Sequence, residues 1–235
     1  RNHKVRVLRN SVVTWEGNVR LQDDDGSVIW SGNYTGERIG PPTVSDLDGD
    51  GEPEIGVAGL DSYVVIESDG SLKWQRKTQD SSSGFTGSSV FDFEGDGKTE
   101  IVYADETTLW VFDGESGDVK LANKQHSSAT CSEYPTIVDV DGDGQVEIVF
   151  SHSTLGSGQF VGVSVLGDVN KRWQAGRRIW NQHAFNLVNV NGDATIPIQP
   201  AMNWKAYNSF RSGDLSALTG GARIDAVLRP LALCN

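Results

Sequence analysis

Long apolar runs and basic charge are both scarce in this chain of 235 residues, and each shortage excludes a class of protein. No stretch approaches the 18 consecutive apolar residues that a membrane-spanning helix requires, so we expect no insertion into a membrane. Acidic residues outnumber basic ones by 32 to 20, which argues against a nucleic-acid partner, because such proteins present a basic face. The hydrophobic content of 37% and the 27 glycines are typical of a globular, turn-rich protein.

Only two cysteines are present, Cys131 and Cys234, so one intramolecular disulfide is possible. A secreted chain would tend to form it and a cytosolic chain would keep both thiols reduced, and the sequence leaves both alternatives open. The chain begins at Arg1 without Met or an apolar signal region, as we expect of a processed product. Asn33 opens an Asn-Tyr-Thr sequon for N-glycosylation, a tripeptide that also occurs by chance.

Motifs of catalysis are also lacking, since the sequence contains no nucleophile elbow, phosphate loop or dinucleotide fingerprint. His183 follows Arg177, Arg178 and Trp180 closely, which would suit a carbohydrate pocket. A packed, hydrogen-bonded histidine is the simpler interpretation. We therefore expect no catalytic residues and no enzymatic activity.

The net charge of −12 is concentrated rather than spread. The segments 46–54, 92–100 and 139–147 together carry the whole imbalance, and the rest of the chain is close to neutral. A solubilising acidic surface would distribute its charge, whereas clustered carboxylates repel one another unless a cation compensates them. This distribution favours metal sites.

These acidic segments belong to an internal repeat. Their first residues, Asp46, Asp92 and Asp139, fall 46 and 47 positions apart. In each unit an alternating apolar run leads into D-x-[DE]-G-D-G-x-x-E and a second run follows at once, which predicts a β-hairpin. The aligned segments are PPTVSDLDGDGEPEIGVAG (41–59), GSSVFDFEGDGKTEIVYAD (87–105) and YPTIVDVDGDGQVEIVFSH (134–152).

A second hairpin is predicted in each unit, over 62–74, 108–121 and 162–173, which gives four short strands in about 45 residues. Four-stranded units of this period are typical of β-propeller blades. We therefore predict an all-β fold, a β-propeller or partial propeller, with an Asp-rich loop in the first hairpin of each blade. Residues 18–30 match a second hairpin alone and predict a partial first blade.

The predicted organisation has blades over 1–175 and a C-terminal segment over 176–235 that completes or caps them. Three full and two partial blades do not clearly close a ring, and open arrays leave exposed sheet edges. A larger propeller, completion by another chain and pairing of the two ends all remain open.

The nine-residue loops place side-chain oxygens at positions 1, 3, 5 and 9, and a backbone carbonyl at position 7 can add another. Six to eight oxygen donors suit Ca²⁺ better than Zn²⁺, and Mg²⁺ would require a stricter octahedron. An ordinary turn built on Asp and Gly is the alternative. It does not explain why the final acid returns in every loop. The predicted ligands of about three Ca²⁺ ions are Asp46, Asp48, Asp50, Glu52 and Glu54; Asp92, Glu94, Asp96, Lys98 and Glu100; and Asp139, Asp141, Asp143, Gln145 and Glu147.

A degenerate fourth loop follows in LVNVNGDATIP (187–197). Asn189, Asn191 and Asp193 stand where the first three ligands would be, but the second Gly and the final acid are missing. We expect at most a weak metal site there.

The motifs DLDGDGEPEI, DFEGDGKTEI and DVDGDGQVEI resemble the FG-GAP/VCBS repeat family, whose calcium loops recur in integrin α-subunit propellers and bacterial surface proteins. The resemblance covers roughly 15–175, and 176–197 resembles the C-terminal part of large secreted FG-GAP proteins. It implies secretion, calcium dependence, and adhesion or scaffolding. Glu94 in the second loop and the small number of blades depart from the family pattern.

The leading functional hypothesis is a non-enzymatic adhesion or structural subunit of an extracellular surface or fibre, with protein subunits or glycans as partners and a possible homo-oligomer or filament. A carbohydrate-binding, lectin-like module is the alternative, and a polysaccharide-degrading enzyme is a third. Trp30, Trp74 and Trp173 recur at the end of the last predicted strand of each blade, which favours packing between blades over sugar stacking.

Overall fold

A computed structural model describes residues 11–23, 25–131, 133–155, 158–203, 207 and 210–215. The regular elements of this part are short β-strands, and none of its residues forms a helix long and apolar enough to cross a membrane. In chain order the strands are β1 Ser11–Trp15, β2 Asn18–Gln22, β3 Val28–Asn33, β4 Thr43–Ser45, β5 Glu54–Ala58, β6 Ser62–Ile66, β7 Leu72–Lys77, β8 Ser88–Phe91, β9 Glu100–Ala104, β10 Leu109–Phe112, β11 Val119–Asn123, β12 Thr136–Val138, β13 Glu147–His152 and β14 Gly162–Leu166.

The strands form four antiparallel sheets that follow one another along the chain: β1–β2–β3, β4–β5–β6–β7, β8–β9–β10–β11 and β12–β13–β14. Each sheet is a meander in which every strand pairs with its neighbour in sequence. This confirms the predicted all-β fold and its propeller blades. Within the described residues no strand of the first sheet pairs with the last, which is consistent with a partial propeller.

The first sheet contains a strand that the repeat pattern did not predict. Only the hairpin over 18–30 was expected, but β1 adds to its free edge, with Val13 opposite Arg20. The sequence SVVTW is β-branched and aromatic, as strands prefer, but no Asp-rich loop marks it.

The predicted hairpin over 162–173 is wrong in its second half. Its first strand forms as β14, but the described structure contains no strand that ends at Trp173. Asp168 accepts a hydrogen bond from the backbone N of Arg172 at 2.9 Å, and Lys171 has a positive φ of 53°, so the chain turns away from β14. Trp173 packs instead against the preceding sheet, on Phe93, at a ring-centroid distance of 4.6 Å.

Apolar side chains fill the spaces between successive sheets in three clusters. Strand side chains alternate between the two faces, and in β6 the neighbouring residues Val64 and Val65 enter different clusters. The second and third sheets are therefore covered on both faces, and their central strands are almost completely buried. Face-to-face packing of this kind supports the propeller arrangement.

Two of the recurring tryptophans join neighbouring blades. Trp30 of β3 donates from its indole Nε1 to the carbonyl of Ser68 at 2.9 Å, in the turn of the second sheet. Trp74 of β7 makes the equivalent bond to Gly114 in the third sheet, at 2.8 Å. Both contacts support the predicted packing role.

The first strands β4, β8 and β12 lie beside one another, joined by hydroxyl groups. Thr43 Oγ1 donates to the Ser88 carbonyl at 3.0 Å, and Ser89 Oγ donates to the Pro135 carbonyl at 2.5 Å. The described part of the C-terminal segment runs across these strands. The backbone N of Phe210 donates to Val44 of β4 at 2.7 Å.

The same segment continues this backbone pairing on the other blades. Val90 of β8 donates to the carbonyl of Arg211 at 3.2 Å, and Asp139, just after β12, donates to that of Arg177 at 3.0 Å. These contacts fit a capping role. The division between blades and segment at residue 175 stays a prediction.

Candidate metal sites

The three acidic loops share one backbone conformation between the first and second strands of their sheets. In each loop the first Asp accepts hydrogen bonds on both carboxylate oxygens, from the backbone N–H groups three and five residues later. The N···O distances are 2.8 and 2.9 Å to Asp46, 2.6 and 2.8 Å to Asp92, and 2.6 and 3.2 Å to Asp139. The sixth position of the loop requires glycine, because its φ is positive, +90° at Gly51, and other residues rarely adopt that conformation.

The ninth residue of each loop also has a backbone partner. Glu Oε2 accepts a hydrogen bond from the backbone N of the second loop residue, which draws the carboxylate under the loop. The donors and distances are Leu47 to Glu54 at 2.7 Å, Phe93 to Glu100 at 3.0 Å, and Val140 to Glu147 at 2.9 Å. The recurring final acid thus has a structural role of its own, which the sequence alone does not show.

Each loop brings three acidic side chains close enough to share a cation. In each set, one carboxylate oxygen per residue lies within 4.8 Å of the others. The sets are Asp46, Asp48 and Asp50; Asp92, Glu94 and Glu100; and Asp139, Asp141 and Glu147. Exposed acidic groups also cluster without an ion, so a second observation is needed to favour a metal.

Glu54, the ninth residue of the first loop, is not one of the three residues of its set, but it supplies that second observation. It is fully buried, and while Oε2 is bonded to Leu47, Oε1 has no hydrogen-bond partner among the described residues. A buried carboxylate oxygen without a partner is costly, and a bound cation would satisfy it. An all-oxygen donor set with an orphaned buried oxygen fits Ca²⁺.

Lysines from the last strand of the blade enter two of the loops, a feature that we did not predict. Lys73 Nζ lies 2.6 Å from Asp48 Oδ2 and 2.8 Å from Glu67 Oε1. Lys120 Nζ lies 2.5 Å from Glu100 Oε1 and 3.1 Å from Glu94 Oε2. The two lysines occupy matching positions after the turns of the second hairpins. This recurrence is the sequence signal from which their role could have been predicted.

In the third loop the lysine comes from the irregular turn after β14. Lys171 Nζ lies 2.9 Å from Asp143 Oδ2, with most of its side chain in solvent. Its hydrogen bond lowers the pKa of Asp143.

Burial dominates the electrostatics of the ninth residues. It raises the pKa of Glu54 to about 8, and that of Glu100 also to about 8, although the Lys120 amine opposes the second shift. Burial likewise raises the pKa of Asp46 and of Asp92. The loops therefore hold carboxylates whose ionised form lacks sufficient compensating charge within the protein.

These shifts predict how the stability of the metal-free protein depends on pH. The folded-state pKa values of Glu54 and Glu100 lie above the ordinary value of 4.5, so the folded protein binds protons that the unfolded chain releases. Their stabilising contribution is complete below about pH 4.5 and is lost as the pH rises through about 8. We expect the free energy of unfolding in chelator to fall by several kcal/mol between about pH 5 and 8.

Urea unfolding of the wild type and of Glu54→Gln/Glu100→Gln checks this expectation. Burial lowers the pKa of His126 and His152, which adds a change of opposite sign below about pH 6.5. Both proteins carry these histidines, so the difference between their pH profiles isolates the glutamates. An unchanged slope in the double variant would contradict the assignment.

The degenerate fourth loop is arranged differently from the other three. Asn189 donates from its amide to the Ala184 carbonyl at 2.6 Å, and Asp193 accepts from the Thr195 hydroxyl at 2.6 Å. Asn191 also bonds the Thr195 hydroxyl, at 2.8 Å. The side chains serve local turns, and weak metal binding there stays a prediction.

The remaining predicted sites lie apart from the loops. Asn33 is exposed, but its amide donates to the Gly36 carbonyl at 3.0 Å, and its glycosylation stays a prediction. Cys131 is exposed, and Cys234 lies outside the described residues, as does any disulfide between them.

His183 was expected to be packed and hydrogen-bonded. It is exposed instead and meets Tyr134 edge-to-face at 4.5 Å, because the segment carries it along the surface.

Comparison with known proteins supports the repeat assignment. The FG-GAP-like repeat family matches residues 92–150, which include the second and third acidic loops. No curated protein matches the chain. The crystal structure of the V. cholerae biofilm matrix protein Bap1 is similar over 85% of this chain, with 26% sequence identity and a TM-score of 0.66.

The chain spans only 34% of the Bap1 chain. Two further structures are more distant. BamB from Moraxella catarrhalis has 12% identity and a TM-score of 0.42, covering 71% of this chain and 46% of its own. The Myceliophteria thermophila Cps50 (Swd1) beta-propeller domain has 12% identity and a TM-score of 0.36, and the match covers 60% of this chain and 46% of that domain's chain. The sheets, the loops and the similarity to Bap1 together identify the chain as a partial β-propeller, with an FG-GAP-like repeat over residues 92–150.

Proposed function

We propose that this chain is a secreted, calcium-binding β-propeller with a non-enzymatic adhesive or structural role. The observation that carries the proposal is the buried, unpartnered Oε1 of Glu54 within the first acidic loop. Because the same loop recurs in three blades, we extend the proposal to about three calcium ions. The likeness to a biofilm matrix protein and the FG-GAP-like repeat support an extracellular adhesion or structural role.

The residues that would hold each ion follow from the loop geometry. Carboxylates at positions 1, 3, 5 and 9 would supply side-chain oxygens, and the carbonyl at position 7 would add one more. The bound ion would supply a fixed positive charge. The chain's own part is to hold the first Asp against two backbone N–H groups and the final Glu beneath the loop.

The loops also lie at junctions between structural units. The Leu47 carbonyl accepts from the Thr99 backbone N at 3.2 Å, and the Asp46 carbonyl accepts from the Thr99 hydroxyl at 2.7 Å, so the first loop is bonded to the third sheet. The second loop is bonded to the chain after β14, through Phe93 and Gln174 at 3.2 Å. An ion that fixes a loop would therefore also stabilise the junction beside it.

An adhesive role can be tested with beads coated with the purified chain. Retention in flow on surfaces coated with the same chain, or with a panel of glycans, should be high in Ca²⁺ and low in chelator or in Mg²⁺ alone. Beads carrying Glu54→Gln/Glu100→Gln provide the matched control and should be retained poorly under all conditions. Equal retention of wild-type beads with and without Ca²⁺ would refute calcium-dependent adhesion.

A further inference from the structure

A groove lies at the opposite end of the third sheet from its acidic loop. We call it the Trp110 groove. It begins where β9 ends, near Asp105, whereas the acidic loop ends where β9 begins. Its volume is about 420 Å³. The residues that line it are Lys77, Thr78, Gln79, Asp105, Thr107, Thr108, Trp110, Lys124, His126 and Gln159.

The aromatic wall of the groove is held in one orientation. Trp110 donates from Nε1 to Asp105 Oδ2 at 2.7 Å, and its ring stacks on Phe112 with an interplanar angle of 11°. Trp110 is nevertheless only partly buried. A partly exposed aromatic ring that is fixed by two contacts can receive the apolar face of a ligand with little further loss of side-chain freedom.

Asp105 fixes neighbouring groups of the groove in place, and its own charge is already compensated by hydrogen bonds. Oδ1 accepts hydrogen bonds from the backbone N–H groups of Thr107 and Thr108, both at 2.8 Å. Oδ2 accepts from the Gln79 backbone at 3.0 Å as well as from the indole. These four donors compensate the buried carboxylate and fix the floor of the groove.

The groove wall also contains buried polar atoms that lack hydrogen bonds. Thr78 is 5% exposed, and its Oγ1 has no partner among the described residues. His126 is 3% exposed, and its Nε2 has no partner of good geometry in the same part of the chain. Buried polar groups are usually bonded, and leaving one unsatisfied is costly. Two such atoms beside one groove indicate that a polar ligand completes them.

The positive charge at the rim of the groove favours an anionic ligand. Lys77 and Lys124 are exposed, and neither has a carboxylate within 4.0 Å among the described residues, although the protein as a whole is strongly acidic. Glu106, a partly buried acid nearby, accepts hydrogen bonds from the backbone N of Ser82 and from the amide of Gln79. Two unpaired ammonium groups beside an aromatic ring favour a ligand that combines a carboxylate with an apolar ring face.

We propose that the Trp110 groove binds a carboxylated sugar, a uronic acid residue. The sugar ring would pack on Trp110, a hydroxyl would bond Thr78 Oγ1, and the carboxylate would lie toward Lys77 and Lys124. No residue of the groove belongs to the acidic loops, so this site is separate from the proposed calcium sites.

Isothermal titration of the calcium-loaded chain with a short glucuronate-containing oligosaccharide tests the proposal. The same oligosaccharide with its carboxylates reduced to alcohols is the matched ligand control and should bind at least about tenfold more weakly. Free glucuronate is a second arm. If only the oligosaccharide binds, the ligand is a polysaccharide. If free glucuronate binds as well, the groove recognises the single sugar from any source. No binding of either, or equal affinity for the reduced form, would overturn the proposal.

Three variants assign the binding to this groove. Lys77→Gln/Lys124→Gln changes only exposed side chains and should weaken binding about tenfold, whereas Arg172→Gln, at an exposed cation outside both the groove and the acidic loops, should leave it unchanged. Thr78→Val removes an unsatisfied buried hydroxyl, so it should lower the affinity while the midpoint of thermal unfolding stays the same or rises. Full affinity in both groove variants would overturn the assignment.

Discussion

Calcium in about 1,000-fold excess over its dissociation constant should raise the midpoint of thermal unfolding by roughly 8–16 °C for each acidic loop that it occupies. A ligand that binds only the folded state at this excess stabilises it by about 4 kcal/mol. For a chain of this size, 1 kcal/mol corresponds to roughly 2–4 °C. Calorimetry with Ca²⁺, with Mg²⁺ and with chelator measures the shift directly.

The first loop offers a variant that separates the ion from the fold. Glu54→Gln keeps an oxygen to accept the Leu47 backbone bond but removes the buried charge. In chelator at about pH 8 it should be at least as stable as the wild type, because burial raises the pKa of Glu54 to about 8 and its ionised form is unfavourable. In Ca²⁺ it should be the less stable protein.

The control for this pair of measurements is Asp61→Asn, an exposed change outside the loops. It should follow the wild type in both buffers. If wild type and Glu54→Gln respond equally to Ca²⁺, the first loop is an ordinary turn, whose final acid serves only its backbone bond.

Arg211→Met should destabilise the protein by about 3–5 kcal/mol, through loss of three hydrogen bonds from a buried charged donor. Arg211 is 3% exposed. Its guanidinium donates to the Ser88 carbonyl at 2.9 Å, to the Ser89 hydroxyl at 3.3 Å and to the His183 carbonyl. It therefore joins the C-terminal segment to β8, the first strand of the third sheet.

Two aromatic rings complete the surroundings of this arginine. The guanidinium carbon lies 4.5 Å from the centroid of Tyr134 and 5.5 Å from that of Trp180. Burial lowers the pKa of Arg211 to about 10, and the rings supply part of the missing solvation as cation–π partners. Arg211→Lys should recover little stability, because an ammonium lacks the planar fork that reaches three acceptors.

Urea unfolding, followed by tryptophan fluorescence, measures both Arg211 variants. Arg172→Met, at a side chain that is 74% exposed, is the matched control and should stay within about 0.5 kcal/mol of the wild type. A loss below about 1 kcal/mol in Arg211→Met would show that the segment contributes little to the stability of the blades.

The parts of the fold that could be predicted are those specified by neighbours in sequence. The hairpins around each acidic loop follow from period-two alternation and from glycines that allow the turn. The contacts of Arg211 could not be predicted in this way, because they join β8 to a segment more than 120 positions later. The failure at Trp173 has a local cause, since Asp168 caps a turn that competes with the expected strand.

The candidate site shows the same division. The acidic residues are visible in the repeat, but the backbone bond of Glu54 and the entry of Lys73 depend on how strands pair. The Trp110 groove gave no sequence signal at all. Its lining comes from the end of the second sheet, from the third sheet and from the chain near Gln159, which only the folded arrangement brings together.

The bonds that join the first two acidic loops to other parts of the chain have a mechanical consequence. A pulling force on two distant points would be shared between these junctions and the C-terminal segment, which is bonded across β4, β8 and the end of β12. The third loop is the weakest candidate, because its Glu147 is only partly buried while Glu54 and Glu100 are enclosed. If the chain bears load, as the proposed adhesive role implies, we expect the third loop to yield before the two central blades.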